Sequence, residues 1–124
     1  MADVREFETG ATRNVDTGKL DYEAFFAPTV LERFAQYMHK HRLQSDGKLR
    51  DGDNWQKGIP MVQYMKSLVR HVFDLWATHR GLTRTDEHGN VYTQEELCCA
   101  VMFNVMGYLF EMLREKPTIK PDEN

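Results

Sequence analysis

The last long apolar stretch of the chain constrains its fold most. From Cys98 to Phe110 nearly every residue is apolar, on every side of a helix, and Asn104 stands in the middle. A helix that is apolar all round has to be buried, and an amide carried into such a setting has to find a partner. Thr93-Gln94-Glu95-Glu96 has the form of a capping box, with Thr93 as the cap and Glu96 reaching back. The helix is expected to run on to about Glu115. Its apolar run is shorter than the ~18 residues of a membrane span, and no membrane association is expected.

Two earlier segments carry helical periodicity. One starts near Pro28, repeats Leu31, Phe34, Ala35 and Met38, and ends near Arg42. The other starts at Pro60 and runs to about Arg80, with Met61, Met65, Leu68, Val72, Leu75 and Trp76 as its stripe and Gly81 as a left-handed cap. Residues 43–59 read as a long Gly/Asp-rich loop, a length that is often functional. His88-Gly89-Asn90 reads as a turn. The expected class is all-α, a small bundle of three main helices with long loops. In 124 residues three helices make a thin core, so dimerisation is expected to complete it. The organisation expected is an extended N-terminal arm over 1–26, a helical domain over 27–116 and a polar tail over 117–124.

Charge is uneven. Residues 33–84 hold ten Lys/Arg against four Asp/Glu, while both flanks are acidic, for a net charge of -3. A basic middle in an acidic frame suits a compact phosphate ligand better than a long polyanion, so duplex nucleic acid is not an expected partner. A solvated surface would show the same pattern. Cys98 and Cys99 are adjacent and make no disulfide framework; a reducing, cytoplasmic compartment is expected. The start of the chain, polar and acidic, has no signal-peptide core.

Five places carry candidate chemistry. Asn104 shares a helical stripe with Glu96, Ala100, Tyr108 and Glu111, and the small Ala100 and Gly107 leave space beside it for a ligand, a water or another helix. A neighbouring backbone group would also satisfy it. His71 and Asp74, three apart, project from one helix face and can share a metal or orient one another; they also read as a surface pair. Glu32 and Glu96 are further carboxylates, the first commonly solvated and the second with a capping role. In Asn54-Trp55-Gln56-Lys57-Gly58 the indole can stack on a base while Lys57 meets phosphate, or Trp55 can anchor the loop to the core. Lys19 and Arg70 are additional phosphate candidates. His39 and His41 read as surface. There is no His-Asp dipeptide, Walker loop or Gly-x-Ser-x-Gly elbow.

Taken in order, Gly18-Lys19, Leu31-Glu32, Asp53-Asn54-Trp55-x-Lys57-Gly58, Ser67-Leu-x-Arg70-His71 and the final Phe103-Asn104 resemble a family of small phage-encoded proteins labelled dATP/dGTP diphosphohydrolase, N-terminal-domain type. The match covers roughly residues 10–112. The resemblance implies α-helical nucleotide hydrolases similar to the MazG-like pyrophosphohydrolases, with acidic helices, a divalent metal and a dimer, in the cytoplasm of an infected bacterium. The Glu-x-x-Glu of MazG-like enzymes is absent. Its nearest analogue here is His71-x-x-Asp74 with Glu32 and Glu96 from neighbouring helices, and a histidine in such a ring is unusual for Mg²⁺.

The reading that follows is a diphosphohydrolase of purine deoxynucleoside triphosphates that uses Mg²⁺ or Mn²⁺ and releases pyrophosphate. Glu32, His71, Asp74 and Glu96 would hold the metal, with His71, Asp74 and Glu96 catalytic. Lys19, Lys57 and Arg70 would meet phosphate, Trp55 would stack on the base, Asn54 would be a further substrate contact, and Asn104 would fix a ligand group or an orienting water. The rival readings are a non-catalytic phage accessory module that binds a nucleotide or a host protein, and a purely structural helical domain.

Overall fold

The computed structural model describes residues 3–115, so the proposed tail 117–124 lies outside the described residues. The protein is mainly helical, 54%, with four helices and one small two-stranded sheet. It divides into two units at Phe26/Ala27.

In the N-terminal unit β1 (Val4–Glu6) pairs antiparallel with β2 (Thr12–Asn14), Arg5 opposite Arg13. Gly10, at φ +87°, turns the chain between them. A four-residue helix α1 (Tyr22–Phe25) follows, its first turn capped by the Asp21 carboxylate, which accepts from Ala24 N at 3.0 Å. An extended arm was the expectation here. Strands of three residues are too short to show an alternating pattern in sequence.

The second unit holds α2 (Pro28–Lys40), a 3-10 turn (Asn54–Lys57), α3 (Met61–His79) and α4 (Gln94–Arg114). Pro28 opens α2, where its missing N–H is no loss. Gly81, at φ +86°, follows α3. At the start of α4 Thr93 Oγ1 accepts from Glu96 N at 3.1 Å and donates to Glu96 Oε1 at 3.2 Å, so Glu96 reaches the cap's hydroxyl and not its backbone N–H.

The core is the seam between α3 and α4, with α2 laid along the first half of α4. Tyr64, near the start of α3, is 2% exposed and lies flat on Gly107, near the end of α4, so the two helices run antiparallel. Leu97, Cys99, Ala100, Asn104 and Gly107 are the buried positions of α4, and Phe34 is that of α2. Despite its composition α4 is buried on one side only; Val105, Leu109, Met112 and Leu113 remain exposed. By length and composition α4 is also the one helix among the described residues apolar enough to cross a membrane, which counting unbroken apolar residues had missed.

The long loop is built in two parts. Residues 42–50 fold into a small hairpin through Gln44 N to Lys48 O (2.8 Å) and Arg50 N to Arg42 O (2.8 Å). The 3-10 turn is then pinned to α4: Trp55 packs edge-on against Phe110 (centroids 4.9 Å) and Phe103 (6.2 Å), and Arg114 donates to Gln56 O at 2.9 Å. The connection between α3 and α4 makes a second small hairpin, Asp86 N to Asn90 O and Tyr92 N to Arg84 O, both 2.9 Å.

Candidate functional site

The two small hairpins stand on either side of an open cavity of about 1280 Å³ whose floor is α3 and α4. On α3 the seam position His71 and, beside it, the polar flank of Ser67, Arg70 and Asp74 stand on its wall. From α4 come Glu96, Phe103 and Asn104, from α2 Tyr37 and Lys40 with the capping His41 after them, and from the loop Asn54 and Trp55. Seven of the ten residues singled out in the sequence, Asn54, Trp55, Arg70, His71, Asp74, Glu96 and Asn104, thus line one space.

The other three do not. Glu32 is exposed on α2 and Lys57 points to Asp51, 4.0 Å away, with both side chains solvated; neither lines the cavity. Lys19 belongs to the N-terminal unit, in the turn after Gly18 where its N–H donates to Asp16 O at 2.9 Å.

Asn104 is 5% exposed and its Nδ2 donates to Ala100 O at 2.8 Å. Of the partners open to it, the amide takes a neighbouring backbone group, the carbonyl one turn back, a bond a short amide side chain reaches within its own helix. The nitrogen is thereby fixed and the oxygen is the end left for the cavity. Asp74 is held by Arg84, Nε to Oδ1 at 2.7 Å, in a part-buried pair. Glu96 receives Lys40 Nζ at 3.4 Å as well as the Thr93 hydroxyl. Asp86 accepts from the backbone N–H groups of His88 (2.8 Å) and Asn90 (2.9 Å), which holds its carboxyl below the usual range.

The cations are placed differently. Among the described residues the Arg70 side chain bonds only Ser67 Oγ, at 3.1 Å, and that of Arg42 only the carbonyl and ring of His39. Arg50, on the hairpin edge, lines the cavity with no carboxylate partner among the described residues.

His71 stands edge-on to Tyr92 (6.1 Å), and its Nδ1 is buried with no hydrogen-bond partner among the described residues. Burial pushes its pKa down, Asp74 opposes that and Arg70 adds to it, so the ring is neutral at pH 7. His41, read in sequence as surface, also lines the cavity with its ring on Tyr37 (4.2 Å), and its pKa is lowered first by desolvation. Desolvation raises the Tyr37 hydroxyl to about 12. The signal for Tyr37, His41 and Tyr92 was faint in the sequence, since each sits at an element end or one turn from it and has no motif around it.

The four residues put forward as metal ligands are not gathered into one ligand set in this structure. Among the described residues no three His, Cys, Asp or Glu side chains come together. Of the proposed quartet Asp74 and Glu96 are neutralised by Arg84 and Lys40, and Glu32 stands outside the cavity. No family model, no curated protein and no solved structure matches the chain.

Proposed function

We propose that the cavity binds a nucleotide, a purine deoxynucleoside triphosphate by preference, through its phosphate chain. The observation that carries this is a trio of arginines without carboxylate partners. Of the five carboxylates that line the cavity, Asp74 and Glu96 are paired with Arg84 and Lys40, Asp86 is held by backbone N–H groups, Asp51 lies 4.0 Å from Lys57 and Glu87 is solvated, whereas Arg42, Arg50 and Arg70 face the same space with no carboxylate partner among the described residues. Guanidinium groups held this way match phosphate oxygens in geometry and charge. Tyr37, Trp55 and Phe103 offer aromatic surface for a base. The sequence resemblance to the phage dATP/dGTP diphosphohydrolases supports the same ligand. A divalent cation in such a complex is carried in on the phosphate chain.

The chemistry favoured by His71 is hydrolysis. A neutral imidazole can take a proton at Nε2, the ring nitrogen that is not buried, from water as the water oxygen bonds to the α-phosphorus, with the ring's own proton carried on the buried Nδ1. Pyrophosphate leaves with the electrons of the broken P–O bond, and the arginines hold the developing charge. Calorimetric titration with dATP, dGTP and pyrophosphate tests binding. Arg50→Ala is expected to weaken it about tenfold, of the order of a charge-assisted phosphate contact, and unchanged affinity would overturn the reading. Pyrophosphate release by the wild type but not by His71→Asn separates a hydrolase from a binding module.

A further inference from the structure

The α3/α4 hairpin has a second face. At about 100° per residue, Arg70, Asp74 and the cavity lie to one side of the seam through Tyr64 and His71. Val62, Met65, Val69, Phe73 and Trp76 lie to the other, and all five are exposed, Val69 at 60% and Trp76 at 56%. On α4 the seam runs through Ala100, Asn104 and Gly107, and Cys98, Met102, Val105, Leu109 and Met112 fall on its far side. Because the helices are antiparallel, the two stripes come out on the same face of the hairpin, opposite the cavity.

We propose that a second copy of the chain docks on this face, hairpin on hairpin. Three properties select that occupant. Both stripes step by three and four residues over the same length, the spacing of a seam between packed helices. Lys66, one turn from Val62 and from Val69, borders the α3 stripe, and Arg80 lies over Trp76 (5.8 Å) and Arg84 over Phe73 (5.3 Å), so the apolar rows carry a cationic rim. Ten side chains, most of them about half exposed, would remove roughly 800–1,000 Å² per protomer from water, the size of a standard stable interface. A surface two helices wide and self-complementary in length closes by two-fold symmetry into four helices. It stays clear of the cavity and does not rest on the nucleotide reading.

Sedimentation equilibrium of the full chain at micromolar concentration is expected to give twice 14.6 kDa. Val69→Glu and Leu109→Glu, on different helices and both exposed in one protomer, are expected to give monomers of unchanged helical circular dichroism. Cys98, exposed in one protomer and on this face, provides a readout in the unaltered protein. Its thiol is expected to react with a soluble disulfide reagent about tenfold more slowly than an open thiol, that is, with about nine-tenths of chains paired. A wild-type monomer with a freely reactive Cys98 overturns the proposal. So does a dimer that survives both substitutions, or a monomer that floats with anionic phosphatidylcholine/phosphatidylserine vesicles, which would assign the face to lipid.

Discussion

Asn104 is the residue where stability and recognition separate. Its Nδ2 is satisfied by Ala100 O inside α4, so replacing it removes a bond local to one helix and leaves no facing group orphaned. Asn104→Leu is therefore expected to change the unfolding free energy by less than about 1.5 kcal/mol, the net value of a buried hydrogen bond, while nucleotide affinity falls because the cavity loses the amide oxygen. Parallel denaturant unfolding and calorimetry check this, and equal loss in both would show a structural role alone. His71 gives a signature in pH. Its folded pKa is lowered, so the unfolded chain takes up a proton more readily. Stability is complete above the unfolded value near 6.5 and is lost as pH falls through it toward the lower folded value. His41 contributes with the same sign. Urea midpoints measured from pH 7.5 to pH 5 are expected to fall, and more gently in His71→Asn.

At the scale of elements, the helices were legible because each carries its own start and stop signals. Pro28, Pro60 and the Thr93 box open them, and Gly81 follows α3. What the periodicity of α4 could not show is which of its apolar sides meets α3. Tyr64 against Gly107 decides that, and the contact lies 43 residues apart in sequence. A Cβ on Gly107 would overlap the Tyr64 ring, so Gly107→Ala is expected to destabilise by about 1–3 kcal/mol in denaturant titration, with Tyr64→Leu in the same chain restoring part of the loss. Trp55 was legible as important but not as to its use. Its edge-on contacts with Phe103 and Phe110 make it the fastening of the 3-10 turn as well as a wall of the cavity. Trp55→Ala is expected to cost about 3 kcal/mol and to open residues 43–59 to limited proteolysis; an unchanged cleavage pattern would contradict the fastening role.

For the whole molecule, the basic middle of the sequence supplies the arginines of the cavity wall, Arg42, Arg50 and Arg70, while Asp74 and Glu96 stand in ion pairs that only tertiary structure reveals. Arg84 is ten residues from Asp74, and Lys40 is 56 from Glu96. Spacing along one helix cannot report such partners. Phosphate binding through arginines at an open cavity is expected to weaken steadily as ionic strength rises from low to about 1 M, where the Debye length shrinks to about 3 Å, and titration across that range checks it. The walls of the cavity, finally, are two hairpins each closed by one β-bridge, Leu43 to Leu49 and Thr85 to Val91, with Gly47 and Gly89 turning their tips at φ +82°. Neither tip carries a buried side chain of the seam. Chain can be added at residues 46–47 or 88–89 without disturbing the α3/α4 packing, so evolution, or an engineer, can lengthen these rims and alter which ligands enter while the melting temperature stays where it was.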